Sequence, residues 1–92
     1  MLKGRVHINE QEEGGDYIFT GTRKCMTCGF QDAFGEEAEA VAFTALALIL
    51  ERHPYGADYL QTFDYLREDG EKCRFWCIND GDLVTFLLPD EY

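Results

Sequence analysis

"EDGEKCRFWCINDGD", residues 68–82, sets an Asp-Gly step on each side of one segment that alternates in character. Asp-Gly between alternating segments is a hairpin signal, because a tight two-residue turn needs positive φ and these residues tolerate it. The pattern predicts a three-strand antiparallel meander over residues 58–88. Two-residue turns at both steps would also fix the register. Asp69-Gly70 then pairs Leu66 with Cys73, Asp64 with Phe75 and Thr62 with Cys77; Asp80-Gly81 pairs Cys77 with Val84 and Phe75 with Phe86.

That register sorts the meander into two faces. One carries Leu60, Thr62, Leu66, Cys73, Phe75, Cys77, Val84, Phe86 and Leu88. The other carries Tyr59, Phe63, Tyr65, Trp76, Ile78, Leu83 and Leu87, with Gln61, Arg74 and Thr85 among them. The cysteine face is the smaller and more uniformly apolar, so it is expected to meet the helix. The aromatic face, with Tyr59, Phe63, Tyr65, Arg74 and Trp76, is left as a candidate interaction surface, since Tyr, Trp and Arg dominate interface energetics.

Upstream, "KGRVHIN" at 3–9 alternates as a half-buried strand, and Tyr17–Lys24 is rich in aromatic and β-branched residues. With Gly14-Gly15 between them, the two are expected to pair as an N-terminal hairpin over 3–24. A helix follows over residues 36–52. Glu36, Glu37 and Glu39 complement its dipole at the start, Arg52 at the end, and Pro54 stops it. Its middle, "AVAFTALALIL", is apolar almost all round, which predicts cover on more than one side, by the sheet and by a loop or a second subunit. The expected architecture is a single α+β domain of ββαβββ order, one helix on an antiparallel sheet.

The four cysteines fall in "KCMTCG" and "KCRFWC". Cys25 and Cys28 form a Cys-x-x-Cys-Gly knuckle, which suits half of a tetrahedral zinc site. Cys73 and Cys77 are the remaining candidate ligands, but in a regular strand their sulfurs stand roughly 13 Å apart, at ~3.3 Å per residue. His53 or His7 would be the alternative fourth ligand. Buried free thiols are the competing reading. A redox role needs the Cys-x-x-Cys at a helix start, and the helix predicted here begins about ten residues later.

Eighteen acidic residues against eight basic ones give a formal charge of −10. The acids cluster: Glu10, Glu12, Glu13 and Asp16; Asp32, Glu36, Glu37 and Glu39; Asp80 and Asp82; Asp90 and Glu91. Phosphate backbones and anionic membranes would repel such a chain, which argues against direct nucleic-acid or membrane binding. No apolar run reaches spanning length and no leader pattern is visible, so a cytoplasmic location is expected. The chain has no serine and no Gly-rich phosphate loop ahead of a helix, and only two histidines, which leaves little for catalysis.

These features lead to the expectation of a non-enzymatic acidic protein that binds a partner with a basic surface. By analogy with small phage-type inhibitors, it would mimic the charge of a nucleic acid. The alternative is a zinc-stabilised accessory subunit, and a second copy of the chain over the aromatic face or the helix leaves a homodimer open.

Overall fold

The computed structural model describes residues 2–20 and 23–92. Along the chain come β1 (Arg5–Ile8), β2 (Arg23–Met26), α1 (Cys28–Phe34), a 3-10 turn (Gly35–Glu37), α2 (Ala38–Arg52), β3 (Leu60–Leu66), β4 (Lys72–Asn79), β5 (Leu83–Leu87) and a C-terminal 3-10 turn (Pro89–Glu91). The order is ββαβββ, and the fold is a single α+β domain with the helical layer on one face of a five-stranded mixed sheet. The spatial order is β1-β3-β4-β5-β2.

The N-terminal hairpin does not form. β1 pairs antiparallel with β3, while β2 runs parallel to β5 on the opposite edge. The expected strand over 17–24 is replaced by an isolated bridge, Tyr17 to Ala57, and by β2 from Arg23 onward; Gly21 and Thr22 lie outside the described residues. A long loop can span a sheet at little extra cost in closure entropy, so the proximity of two strands in sequence does not force them to pair.

The meander is present, but its first hairpin is one residue out of the expected register. Leu66 faces Lys72, Tyr65 faces Cys73, Phe63 faces Phe75 and Gln61 faces Cys77. The turn is a three-residue loop. Arg67 N–H donates to Glu71 O at 2.8 Å, Gly70 N–H donates to Arg67 O at 3.0 Å, and Gly70 holds φ 91°. A glycine in this region after a tight turn absorbs the extra residue as a bulge. Packing favours this register. The expected one would aim Asp64 at the helix layer, where an ionised carboxylate without a partner costs several kcal/mol. The observed one sends Phe63 and Tyr65 inward, and burying a side chain of that size gains about 1.5–3 kcal/mol.

The second turn, on Gly81-Asp82 with Gly81 at φ 101°, shifts the pairing by two and preserves the faces: Cys77 lies opposite Phe86 and Asn79 opposite Val84. The β4–β5 part of the cysteine face, with Phe75, Cys77, Val84 and Phe86, meets the helices as expected, whereas its β3 part, Leu60, Thr62 and Leu66, lies on the open side. Phe30 and Phe34 of α1 join Phe63, Tyr65, Phe75 and Phe86 in an aromatic core. Phe63 and Phe75 stack at 4.9 Å with their rings 8° apart.

α2 buries Ala38, Val41, Ala42, Ala45, Leu46 and Ile49, the spacing of one helix face. α1 starts where no helix was expected, with Thr27 as N-cap: its Oγ1 accepts the Phe30 N–H at 3.2 Å. Among the described residues no helix is long and apolar enough to cross a membrane.

Candidate functional site

Strand direction gathers one end of the sheet from the close of β1, the start of β3 and the turn after β4. The loop that follows β1 is fastened there by buried polar side chains. Gln61 Nε2 donates to Gln11 Oε1 (2.9 Å) and to Asp58 O (3.1 Å), and Asp58 N–H donates to Gln11 Oε1 (3.0 Å). Asn79 Nδ2 donates to Ile18 O at 2.8 Å, and Asn79 N–H donates to Tyr59 O at 2.9 Å.

These ties bring acids that are distant in sequence to one pole. Glu10, Glu12, Glu13 and Asp16 ride exposed on the fastened loop, Asp58 lies buried beneath it two residues before β3, and the exposed Asp80 and Asp82 flank the β4–β5 turn. Among them, Tyr17 and Tyr59 are each about two-fifths exposed, with ring centroids 6.4 Å apart. The Tyr59 phenol is held above its ordinary pKa, first by charge at Tyr92, then by burial and by Asp58, Glu12 and Glu13. Negative potential at this pole would attract a cation, and two tyrosine faces offer it π surfaces.

The second acidic group is dispersed. Glu36 and Glu39 are exposed, but Glu37 is a structural clamp. It accepts the Lys3 N–H at 2.9 Å and the Tyr65 hydroxyl at 3.0 Å, and the Lys3 bond heads the causes that hold its carboxyl below the usual range.

The five aromatic-face candidates part company. Phe63 and Tyr65 are buried beneath the helices, a direct consequence of the register shift, so they present nothing to a partner. Tyr59 belongs to the acidic pole. Arg74 and Trp76 face outward on the open side of the sheet, with Arg5, His7, Leu66, Lys72, Ile78 and Leu83. Asp64 lies among these cations, almost fully buried. Its Oδ1 accepts the Arg74 Nε–H at 3.0 Å and its Oδ2 accepts from Asn9 at 3.4 Å. Burial alone would raise its pKa, but these bonds prevail and hold it below the ordinary value.

The four cysteines do not form one centre. Cys25 points to the open face, where its Sγ lies 3.5 Å from Thr85 Oγ1. Cys77 points into the helix-side core and is fully buried. Cys73 shares that inner face, half-buried, and Cys28 is exposed at the first residue of α1. Opposite faces of a sheet cannot supply one ion. Among the described residues no group of three His, Cys, Asp or Glu is placed to hold a metal. The helix start at Cys28 also replaces the expected ten-residue gap, although Cys25 remains in the strand.

One exposed aromatic of the pole, Tyr17, carries no sequence signal of its own. Its aromatic and β-branched neighbours read as a strand, whereas the all-round apolar character of α2 does signal the second, exposed side that carries Phe43 and Leu50. Compared with family models, curated proteins and solved structures, the chain matches none.

Proposed function

We propose that this is a non-enzymatic binding protein whose acidic pole docks on a basic surface of another protein. The carrying observation is the convergence of the exposed Glu10–Asp16 loop and the Asp80–Asp82 turn around the exposed Tyr17–Tyr59 pair. The acids supply long-range attraction and orientation; the tyrosines supply the desolvated contact that makes a steered encounter last. A groove shaped for a phosphate array is one such basic surface, and the negative charges of the pole would then stand in for phosphates.

Affinity capture from a native-host lysate, with mass spectrometry, tests this reading. Wild type should retain a set of basic proteins that added salt releases steeply, because exposed charges are screened within about 8 Å at physiological ionic strength. The variant carrying Glu10→Gln, Glu12→Gln, Glu13→Gln and Asp16→Asn should lose them. Identical partners on the variant column would refute the proposal.

A further inference from the structure

The open side of the sheet carries the opposite charge to the rest of the chain. Acids outnumber bases 18 to 8 overall, yet the outward strand positions hold Asp64 as their only acid, against Arg5, Arg23, Lys72 and Arg74. Asp64 is buried and already taken up by Arg74 and Asn9. That ion pair is the one salt bridge among the described residues, so Arg5 and Lys72 stand exposed without an acidic partner. Arg5, Leu66 and Lys72 lie in one cross-strand row, and His7, Asp64 and Arg74 in the next. At ~4.8 Å between strands and ~3.3 Å per residue, Arg5 and Lys72 are roughly 10 Å apart, and Lys72 and Arg74 roughly 7 Å. Towards the other end of the same face, Leu60, Trp76 and Ile78 are half-exposed.

We propose that this face docks an acidic amphipathic helix of a partner protein, with its carboxylates on Arg5, Lys72 and Arg74 and its apolar side chains on Leu60, Trp76 and Ile78. Charge complementarity selects an anionic occupant, and the cations left without acids in so acidic a chain are what it would neutralise. A helix suits the place because it satisfies its own backbone groups, whereas an extended chain laid flat on a sheet face would leave them unpaired. Acids one turn apart on a helix stand about 6 Å apart, close to the spacing of Lys72 and Arg74. A polyphosphate fits less well. The chain's −10 repels it at range, and the apolar end offers aliphatic side chains and a Trp76 already edged by Tyr92, with little free ring surface for bases. Lys72 opens β4 and Asp80 follows its end, so the cations lie at the far end of the sheet from the acidic pole. The bound helix therefore points its acids away from the pole, and the two surfaces take partners of opposite charge.

Trp76 is the lone tryptophan and lies within the face, so its fluorescence reads the contact directly. The probe is a short synthetic helix with two glutamates one turn apart, followed on the same side by leucines. Titrated into the purified chain, it should shift Trp76 emission to saturation, and salt should weaken the binding. The double variant Arg5→Glu and Lys72→Glu, with melting temperature as the check on its fold, should bind roughly 10-fold or more weakly. Lysines in place of the probe's glutamates should abolish binding to wild type and recover it on the double variant. The variant carrying Glu10→Gln, Glu12→Gln, Glu13→Gln and Asp16→Asn should bind the probe as wild type does, so loss of the pole's partners leaves this result standing. An emission that never saturates, or equal affinity for the glutamate and lysine helices, would overturn the proposal. So would tighter binding of oligothymidylate than of the helix, or a wild-type mass of two chains that the double variant reduces to one, since a nucleic acid or a second copy would then be the occupant.

Discussion

Glu91 reaches back across the sequence to Thr27, and their side-chain oxygens lie 2.6 Å apart. The same carboxylate accepts the N–H groups of Gly29 at 3.1 Å and Leu88 at 2.8 Å. Thr27 is the N-cap of α1, so one glutamate ties the C-terminal turn to the start of that helix. The tie also sets the neighbouring Tyr92 against the lone tryptophan, ring centroids 5.7 Å apart.

These hydrogen bonds, the Thr27 one foremost, hold the Glu91 carboxyl below its ordinary pKa. A carboxyl depressed in the folded state stabilises the fold above its unfolded pKa, and that contribution is lost as pH falls through the folded value. Glu91→Gln should therefore lower the melting temperature at neutral pH and lower it less in acid, below the carboxylate range. Trp76 fluorescence should change with the substitution as Tyr92 is released. An unaltered emission spectrum would show that the tie does not hold the tail.

Arg74 and Asp64 are directly opposed on β4 and β3, and they differ in exposure: the Asp64 side chain is 9 % exposed, that of Arg74 58 %. Arg74→Ala leaves a buried carboxylate with only the long contact from Asn9, and should lower stability. With its cation gone, burial would dominate and raise the Asp64 pKa. The penalty should therefore be full at neutral pH and fade in acid as Asp64 takes up a proton. Adding Asp64→Asn should recover part of the loss. Urea unfolding at neutral and acidic pH measures all three, and a penalty independent of pH would exclude this account.

The same pair shows what was legible in the sequence. Asp-Gly located both hairpins, and the apolar run with Pro54 located α2, because turn chemistry and helix breakers act locally. The register was not legible. Leu60, Leu66, Phe63 and Tyr65 make both phases of β3 apolar, so alternation could not choose between them. A bulge at Gly70 decided it, and that one residue took Phe63 and Tyr65 out of the candidate interface. The edge positions of β1 and β2 depend on contacts remote in sequence, which no local pattern encodes. For the acidic pole, the acids were visible as clusters; their meeting around Tyr59 depends on Gln11, Gln61 and Asn79, which carry no sequence signature.

Gly70 itself can be tested. A Cβ built there meets nothing within 4 Å, so a substitution is opposed by backbone conformation alone. Gly70→Ala should destabilise by roughly 1–2 kcal/mol, the cost of the left-handed region for a residue with a side chain. Gly70→Asn should cost less, since asparagine tolerates that region. Thermal unfolding that ranks alanine above asparagine in stability would contradict the bulged turn.

The thiols test the arrangement of both sheet faces at once. Cys25 and Cys28 are exposed, Cys73 is half-buried and Cys77 is fully buried. Burial pushes the Cys77 thiol far above its ordinary pKa, although Lys24 acts weakly in the other direction. The thiolate is the reacting species, so reactivity follows exposure and ionisation together. An aromatic disulfide reagent added to reduced native protein should find two thiols at once and a third slowly. The fourth should react only at the rate of unfolding. Cys77→Ala should abolish that last phase and destabilise the core, whereas Cys25→Ala should remove a fast phase with little effect on melting. Since Cys25 and Cys77 lie on opposite faces, a chelator should leave both the phases and the melting temperature unchanged. Four thiols protected together and released together by chelation would instead require a shared metal centre and a different path for β2.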